Sequence, residues 1–574
     1  MSASGAALVR ADDGSLLAAV DEDADAVVLL ARSGGALVVR RRLAVGRRPA
    51  QALFASSALW VIERGDNALS AYDVATGRRL CRRSVARDPV SVARSPDGAT
   101  LFVASALPPR LHGLDARTGG RRFTVAVARE PRGLWVAPAG DRVLISHLAG
   151  PALSAVDLRA TPAARALPPP TFELRQRAVG GESSTSFTFR PSATQAWSIA
   201  REPASGRLLV PMMANNHRVD IRHGAGSGGY GGGGGEGLDE QTRFTVGVFD
   251  PSAERWERLI DGDYFADAEG APPGLREVRS PVASAWSPRE GLVVLAQGND
   301  AVASLQPGRP PRWPARVAPR QRATLNAPDA LVVEADGEVV IHSQVDHAVE
   351  YGAPRARVRL SFGEERLDPR VALGRRLFLS ASSRISRDRV SCNGCHPDGR
   401  DDGLAWDLRD QRLRTPSLRG RLTPPFGWLG RQPTLIDAVR VAVERLHGTG
   451  LSDEALLALA AYIERALPAA PAASEPLSAQ AERGRALFQG RAGCARCHVA
   501  ERGYVDGAAH AFGADPTPFD TPSLRGVAAG GPWFHDGRYT SLAALLADPR
   551  SAMGNAASLS PDERADLLAW IEAL

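Results

Sequence analysis

Four of the five cysteines stand in two copies of one pattern, Cys392-Asn393-Gly394-Cys395-His396 and Cys494-Ala495-Arg496-Cys497-His498. Cysteines three apart share one helical turn, where they can form thioethers with the two vinyl groups on one edge of a haem. The histidine that follows then lies under the iron and supplies its proximal nitrogen ligand. A zinc site would need two more ligands at each copy, and a redox dithiol has no use for the histidine. Two copies in a chain with one other cysteine therefore point to two covalently bound c-type haems, attached at Cys392, Cys395, Cys494 and Cys497 and ligated by His396 and His498. The fifth cysteine, Cys81, lies in a strand-like stretch and reads as a small buried apolar residue.

The surroundings of the two motifs repeat. Leu373-Gly374-Arg375-Arg376-Leu377-Phe378 precedes the first and Arg483-Gly484-Arg485-Ala486-Leu487-Phe488 the second. Thr-Pro-Ser-Leu-Arg-Gly follows each, at Thr415 to Gly420 and at Thr521 to Gly526. Each copy closes on an amphipathic helix pattern, Leu451 to Leu467 and Leu559 to Leu574, the second opened by a capping box of Ser560 and Glu563. Met553 follows Thr521 by 32 residues, and the same step from Thr415 reaches His447. Methionine and histidine are the two usual sixth ligands of c-type haem iron, and both residues precede glycine and then the closing helix. Met553 and His447 are accordingly the expected far-side ligands.

These residues resemble the bacterial dihaem cytochrome c peroxidase family, which includes the methylamine-utilisation dihaem enzymes. The resemblance runs from about Asp368 to Leu574 and includes Asp520-Thr521-Pro522-Ser523-Leu524-Arg525 and Gly531-Pro532-Trp533-Phe534-His535-Asp536-Gly537-Arg538. It implies a high-potential haem on His498 and Met553 where electrons enter from a small redox protein. It implies a second haem, on His396, that meets peroxide or an oxidisable partner, and calcium between the modules near the Thr-Pro-Ser-Leu segments. The chain departs from the family pattern after the first motif: no histidine lies between His396 and His447, and no glutamine precedes Pro425-Phe426-Gly427-Trp428-Leu429-Gly430-Arg431. Splitting an O–O bond needs an acid–base group beside the iron. Asp437 is the nearest acid and the candidate catalytic residue, against the alternative of a helix-surface carboxylate. Trp406 reads as an aromatic stepping point between haems or as core.

The first 360 or so residues read as short strands between turns. Asp73, Asp115 and Asp157 recur at a 42-residue step, as do Ser95-Pro96-Asp97-Gly98 and Ala137-Pro138-Ala139-Gly140. Such a period, with four short strands in each repeat, marks propeller blades, and it resembles the YVTN-type repeat propellers. The expected fold is multidomain: an all-β propeller of about seven blades over 1–360, then a mostly α, duplicated c-type cytochrome domain with modules at 361–470 and 471–574. Gly224 to Gly237 is a glycine-rich insertion without the strand-to-helix setting of a dinucleotide fingerprint. His147, Asn215-Asn216-His217, Gln297 with Asn299, and His342 with His347 follow the second strand of several blades and would share one face, as a binding or metal site or as ordinary polar loops. The arginine-rich stretch from Arg355 to Arg366 reads as a short linker, so the two halves should pack together.

At 574 residues and 44% hydrophobic content, the chain can bury several cores. The formal charge is +6 and every basic residue is arginine, but the charges are interspersed, which excludes a nucleic-acid arm. No apolar stretch is long enough to span a bilayer. Haem attachment takes place outside the cytoplasm, so an export signal is expected. Met1-Ser2-Ala3-Ser4-Gly5 has neither a basic nor an apolar region of that kind, so the signal is expected to have been removed or to precede this start. The function expected is that of an exported dihaem oxidoreductase. The competing expectation is an electron carrier whose propeller docks a partner.

Overall fold

The computed structural model describes residues 7–55, 57–177, 184–189, 193–215, 242–261, 278–305, 320–387, 389–408, 411–420, 424–467, 476–512 and 515–574. The glycine-rich insertion, Asn216 and His217 lie outside them. Seven antiparallel sheets, spanning 8–44, 49–84, 87–126, 131–166, 193–261, 281–323 and 330–361, form a seven-bladed β-propeller. A two-stranded hairpin, Phe172–Arg177 with Ser184–Phe189, stands between the fourth and fifth blades.

The 42-residue step has a local cause. Asp73 closes the third strand of its blade, and its Oδ1 accepts from Thr76 N and Thr76 Oγ1, both at 2.6 Å. Gly77 (φ +78°) then turns the chain into the fourth strand. Asp115, Thr118 and Gly119 (φ +70°) repeat the turn one blade later. A short carboxylate that bonds backbone ahead of it and a glycine that tolerates positive φ are what such a turn requires.

An apolar cluster fills each seam between neighbouring blades, and burying one Val or Leu there stabilises by roughly 1.5–3 kcal/mol. The seam between the first and seventh sheets brings Leu17, Val28 and Leu30 against Ala330, Val340 and Val349. The ring is thus closed by side-chain packing; neither terminal sheet borrows a strand from the other. The stretch read as a linker forms the last strand of the seventh blade, Ala356–Ser361.

Beyond that strand the chain turns helical. Pro369–Leu379 packs on Asp453–Ala466, and Ala479–Gln489 packs on Pro561–Ala573. Both pairs approach closely at glycine. A Cβ on Gly374 would stand 2.0 Å from the Ala458 oxygen, and one on Gly484 would stand 1.9 Å from the Asp566 oxygen. Each closing helix has a serine N-cap, Ser452 and Ser560, and Ser560 forms the expected capping box with Glu563. No helix among the described residues is long and apolar enough to cross a membrane.

The helical part rests on one face of the propeller. That face is built from the loops joining second to third strands and from the connections between blades. Gly298 O accepts from Ala381 N (2.7 Å), Gln195 Nε2 donates to Gly394 O (2.6 Å), and Arg375 Nη1 meets Asp23 Oδ2 (2.6 Å). Arg87 grips the chain's end through the Ala573 and Leu574 oxygens, each at 3.0 Å. The polar loops that sequence grouped on one face are therefore largely a docking face within the molecule. His347 is buried there beside Asp21, Asp23 and Glu365, and His342 Nδ1 bonds Asp329.

Candidate haem sites

Cys392–Cys395 is a single helical turn, and His396 N donates to Cys392 O (2.8 Å). Cys494–Arg496 is one 3-10 turn, and His498 N donates to Cys494 O (3.0 Å). Both imidazoles are oriented by backbone. His396 Nδ1 lies 3.3 Å from Arg400 O, and His498 Nδ1 lies 3.1 Å from Tyr504 O. A carbonyl only accepts, so Nδ1 carries the proton and Nε2 is left bare for a metal. Burial holds both histidines below their usual range, in the neutral form that ligates iron.

The two sites have different walls. Around Cys392 stand Phe378, Leu418, Leu435, Val439 and Leu451, while Cys395 packs with Val390 against Met213 and Phe244 of the fifth blade. Cys494, Cys497 and His498 line a cavity of ≈ 380 Å³ with Phe488, Leu524, Trp533, Phe534, Leu545 and Met553. Met553 is fixed at this cavity by its neighbours: Asn555 N donates to Ala492 O (2.8 Å), and a Cβ on Gly554 (φ +58°) would stand 2.2 Å from the same oxygen. Two thiols on one turn, a backbone-oriented histidine, an apolar cavity and a thioether on its wall fit a c-type haem.

The other candidates are placed differently. His447 is exposed, at φ +50° just beyond the Leu435–Arg445 helix, in an isolated bridge with Ser386. Asp437 stands in the first turn of that helix, where its Oδ2 accepts from Thr434 Oγ1 (2.5 Å) while its N donates to the same hydroxyl (3.1 Å). Trp406 is buried in the Ala405–Leu408 strand and donates from Nε1 to Asp402 Oδ2 (3.2 Å) and Thr415 Oγ1 (3.1 Å). Its partner strand, Gln411–Arg414, reaches the other motif's half through Arg414 N to His535 O (2.7 Å). Cys81 is half-buried, with its thiol free.

Sequence reasoning missed Asp402, Arg400 and Arg419. Burial pushes the Asp402 carboxyl up to about 7, beside Asp401. The signal was present as Arg400-Asp401-Asp402 four residues after His396, but three charged residues in a loop read as surface until the fold buries them.

Comparison with known proteins places similarity over both parts of the chain. A family model described as cytochrome c matches residues 481–574, and one described as outer membrane protein assembly factor BamB matches residues 2–135. The methylamine utilization protein MauG of Methylorubrum extorquens is 29% identical over 281 residues, covering 36% of this chain and 78% of that protein. Hydrazine synthase subunit gamma of Kuenenia stuttgartiensis is 27% identical over 255 residues, covering 32% of this chain and 72% of that protein. Among solved structures, Kuenenia stuttgartiensis hydrazine synthase superposes with a TM-score of 0.45 at 13% identity, covering 63% of this chain and 97% of that one. A streptogramin B lyase superposes with a TM-score of 0.36 at 11% identity, covering 55% and 84%.

The C-terminal part is a cytochrome c domain carrying covalently bound c-type haem, joined to a seven-bladed propeller. Its chemistry is redox and electron transfer.

Proposed function

We propose that this chain is an exported dihaem c-type cytochrome oxidoreductase, with a propeller over 1–360 and two cytochrome modules, 361–470 and 471–574, that arose by duplication. Electrons from a small redox protein enter at the site of His498 and Met553. They are used at the site of His396, to reduce peroxide or to oxidise a partner. The bound haems supply one-electron chemistry; the chain holds and orients them through Cys392, Cys395, Cys494, Cys497 and the two histidines. Calcium between the modules, near the Thr-Pro-Ser-Leu segments, belongs to the same reading and is tested by metal analysis of the holoprotein.

One observation carries the proposal. Two Cys-x-x-Cys-His turns, each with its histidine fixed by a backbone carbonyl, sit beside two helix pairs that meet at equivalent glycines, Gly374 and Gly484. The exposure of His447 favours catalysis at His396, because a ligand outside the packed interior is free to leave an open position. The second reading, a non-catalytic electron carrier with a partner-docking propeller, draws on Asp437, whose carboxylate is engaged at its helix cap.

The deciding experiment reduces the holoprotein by one electron and records optical and EPR spectra before and after hydrogen peroxide. A haem that turns high-spin and reacts quickly supports the catalytic reading. Two low-spin, unreactive haems would leave the electron carrier.

A further inference from the structure

Arg400 and Arg419 both follow the first haem motif in sequence, and both are nearly inaccessible in the fold, at 4% and 8% exposure. The carboxylates that hold them come from the propeller. Asp88 pairs with Arg400, with Arg419 (3.2 Å) and with Arg64 (2.7 Å), and Glu130 lies 2.6 Å from Arg400. Arg64 and Arg132 in turn share Asp398. Four guanidinium groups thus meet three carboxylates. Alongside, Arg129 and Arg414 share Asp401 alone, at 2.9 and 3.0 Å.

Among the described residues each group has one carboxylate fewer than guanidinium groups, in an interior where an uncompensated charge is costly. The Nε atoms of Arg129, Arg400, Arg414 and Arg419 are buried without a hydrogen-bond partner. Burial pulls the Arg419 guanidinium down to about 10, despite Asp88 beside it. Burial also opposes charge on Asp88, but the surrounding arginines outweigh it and hold that carboxyl well below its usual range. Arg400, Arg414 and Arg419 line the cavity that contains Cys494, Cys497 and His498. Arg400 and Arg419 also line an adjoining cavity of ≈ 400 Å³ with Arg87 and Arg525.

We infer that Arg400 and Arg419 receive a propionate carboxylate of the haem held by His498, and that Asp88, a propeller residue, tunes that haem's reduction potential by clamping the pair. The inference rests on the reading that this cavity holds haem. A haem brings two propionates, one for each group that lacks an anion. The propeller then does more than cover the cytochrome: its carboxylates belong to the electrostatics of the redox centre. A free dicarboxylate offers the same chemistry, so the test must separate the two sources.

The test is a spectroelectrochemical titration of the holoprotein and of Asp88→Asn, Arg419→Gln and Arg419→Lys, each with and without added succinate. Removing the anion favours gain of an electron and removing the cation opposes it. Asp88→Asn should therefore raise, and Arg419→Gln lower, the potential of the same haem. Each change is expected to be about tenfold in the reduction equilibrium, about 59 mV for a one-electron couple. Arg419→Lys should restore most of the loss, and succinate should change nothing. If Arg419→Gln yields no holoprotein, the upward shift in Asp88→Asn with a near-normal Arg419→Lys carries the test. Unmoved potentials, or shifts of one sign in both variants, would overturn the inference. So would a succinate effect that disappears in Arg419→Gln, which would assign the pair to a free anion. Absence of c-type haem from the pyridine haemochrome spectrum would instead sink the haem reading itself.

Discussion

Replacing Gly374 with alanine tests how the helices around the first haem motif are assembled. In an isolated helix the change should stabilise by about 1 kcal/mol, because glycine is the poorer helix former. In this fold the added Cβ would stand 2.0 Å from the Ala458 oxygen, 2.6 Å from its carbonyl carbon and 2.7 Å from the Tyr462 Cβ. The obstacle is backbone, which has no rotamer to escape into, so the two helices must move apart by about an ångström or more. Overpacking of this kind costs about 1–3 kcal/mol, and a backbone obstacle puts it at the upper end. The net loss is then about 2 kcal/mol, or about 10 °C in the melting of a module of about 100 residues. Differential scanning calorimetry of the holoprotein, with Soret circular dichroism to identify the haem-linked transition, measures it. Gly484→Ala should lose a similar amount, since its Cβ would stand 1.9 Å from the Asp566 oxygen. A melting temperature unchanged or raised by either substitution would refute the packing argument, because helix propensity alone predicts that result.

Two further outcomes follow from the same geometry. Burial opposes charge on His347, but Asp21, Asp23 and Glu365 outweigh it and raise its pKa. Its contribution is therefore complete below about 6.5, the value in the unfolded chain, and is lost as pH rises through the raised folded value. The joint between propeller and cytochrome should become more sensitive to limited proteolysis above neutral pH, and His347→Gln should flatten that dependence; a pH-independent wild type would exclude the coupling. Met553→His should lower the potential of one haem while leaving haem content unchanged, because imidazole replaces a thioether at the cavity of His498. An unaltered potential would remove Met553 from the iron.

The sequence alone fixed whatever depends on residues a few positions apart. Two cysteines and a histidine on one turn define their chemistry wherever that turn is placed, and Ser560 with Glu563 caps its helix as read. The Asp-x-x-Thr-Gly turns at Asp73 and Asp115 set the blade period, which is why the propeller was legible. Position was legible only in part: counting from the Thr-Pro-Ser-Leu segments reached both Met553 and His447 as equivalent, but the fold brings Met553 to the cavity and leaves His447 exposed. Long-range juxtaposition was beyond the sequence. The polar loops of several blades looked like an open site, and only tertiary structure turned them into the face that holds the haem-bearing half. Asp88 and Arg400 are 312 residues apart and carry no shared pattern, yet they pair in the interior. Pairing of this kind is decided by which surfaces dock, and docking depends on the summed shape and charge of whole faces, which no local spacing encodes.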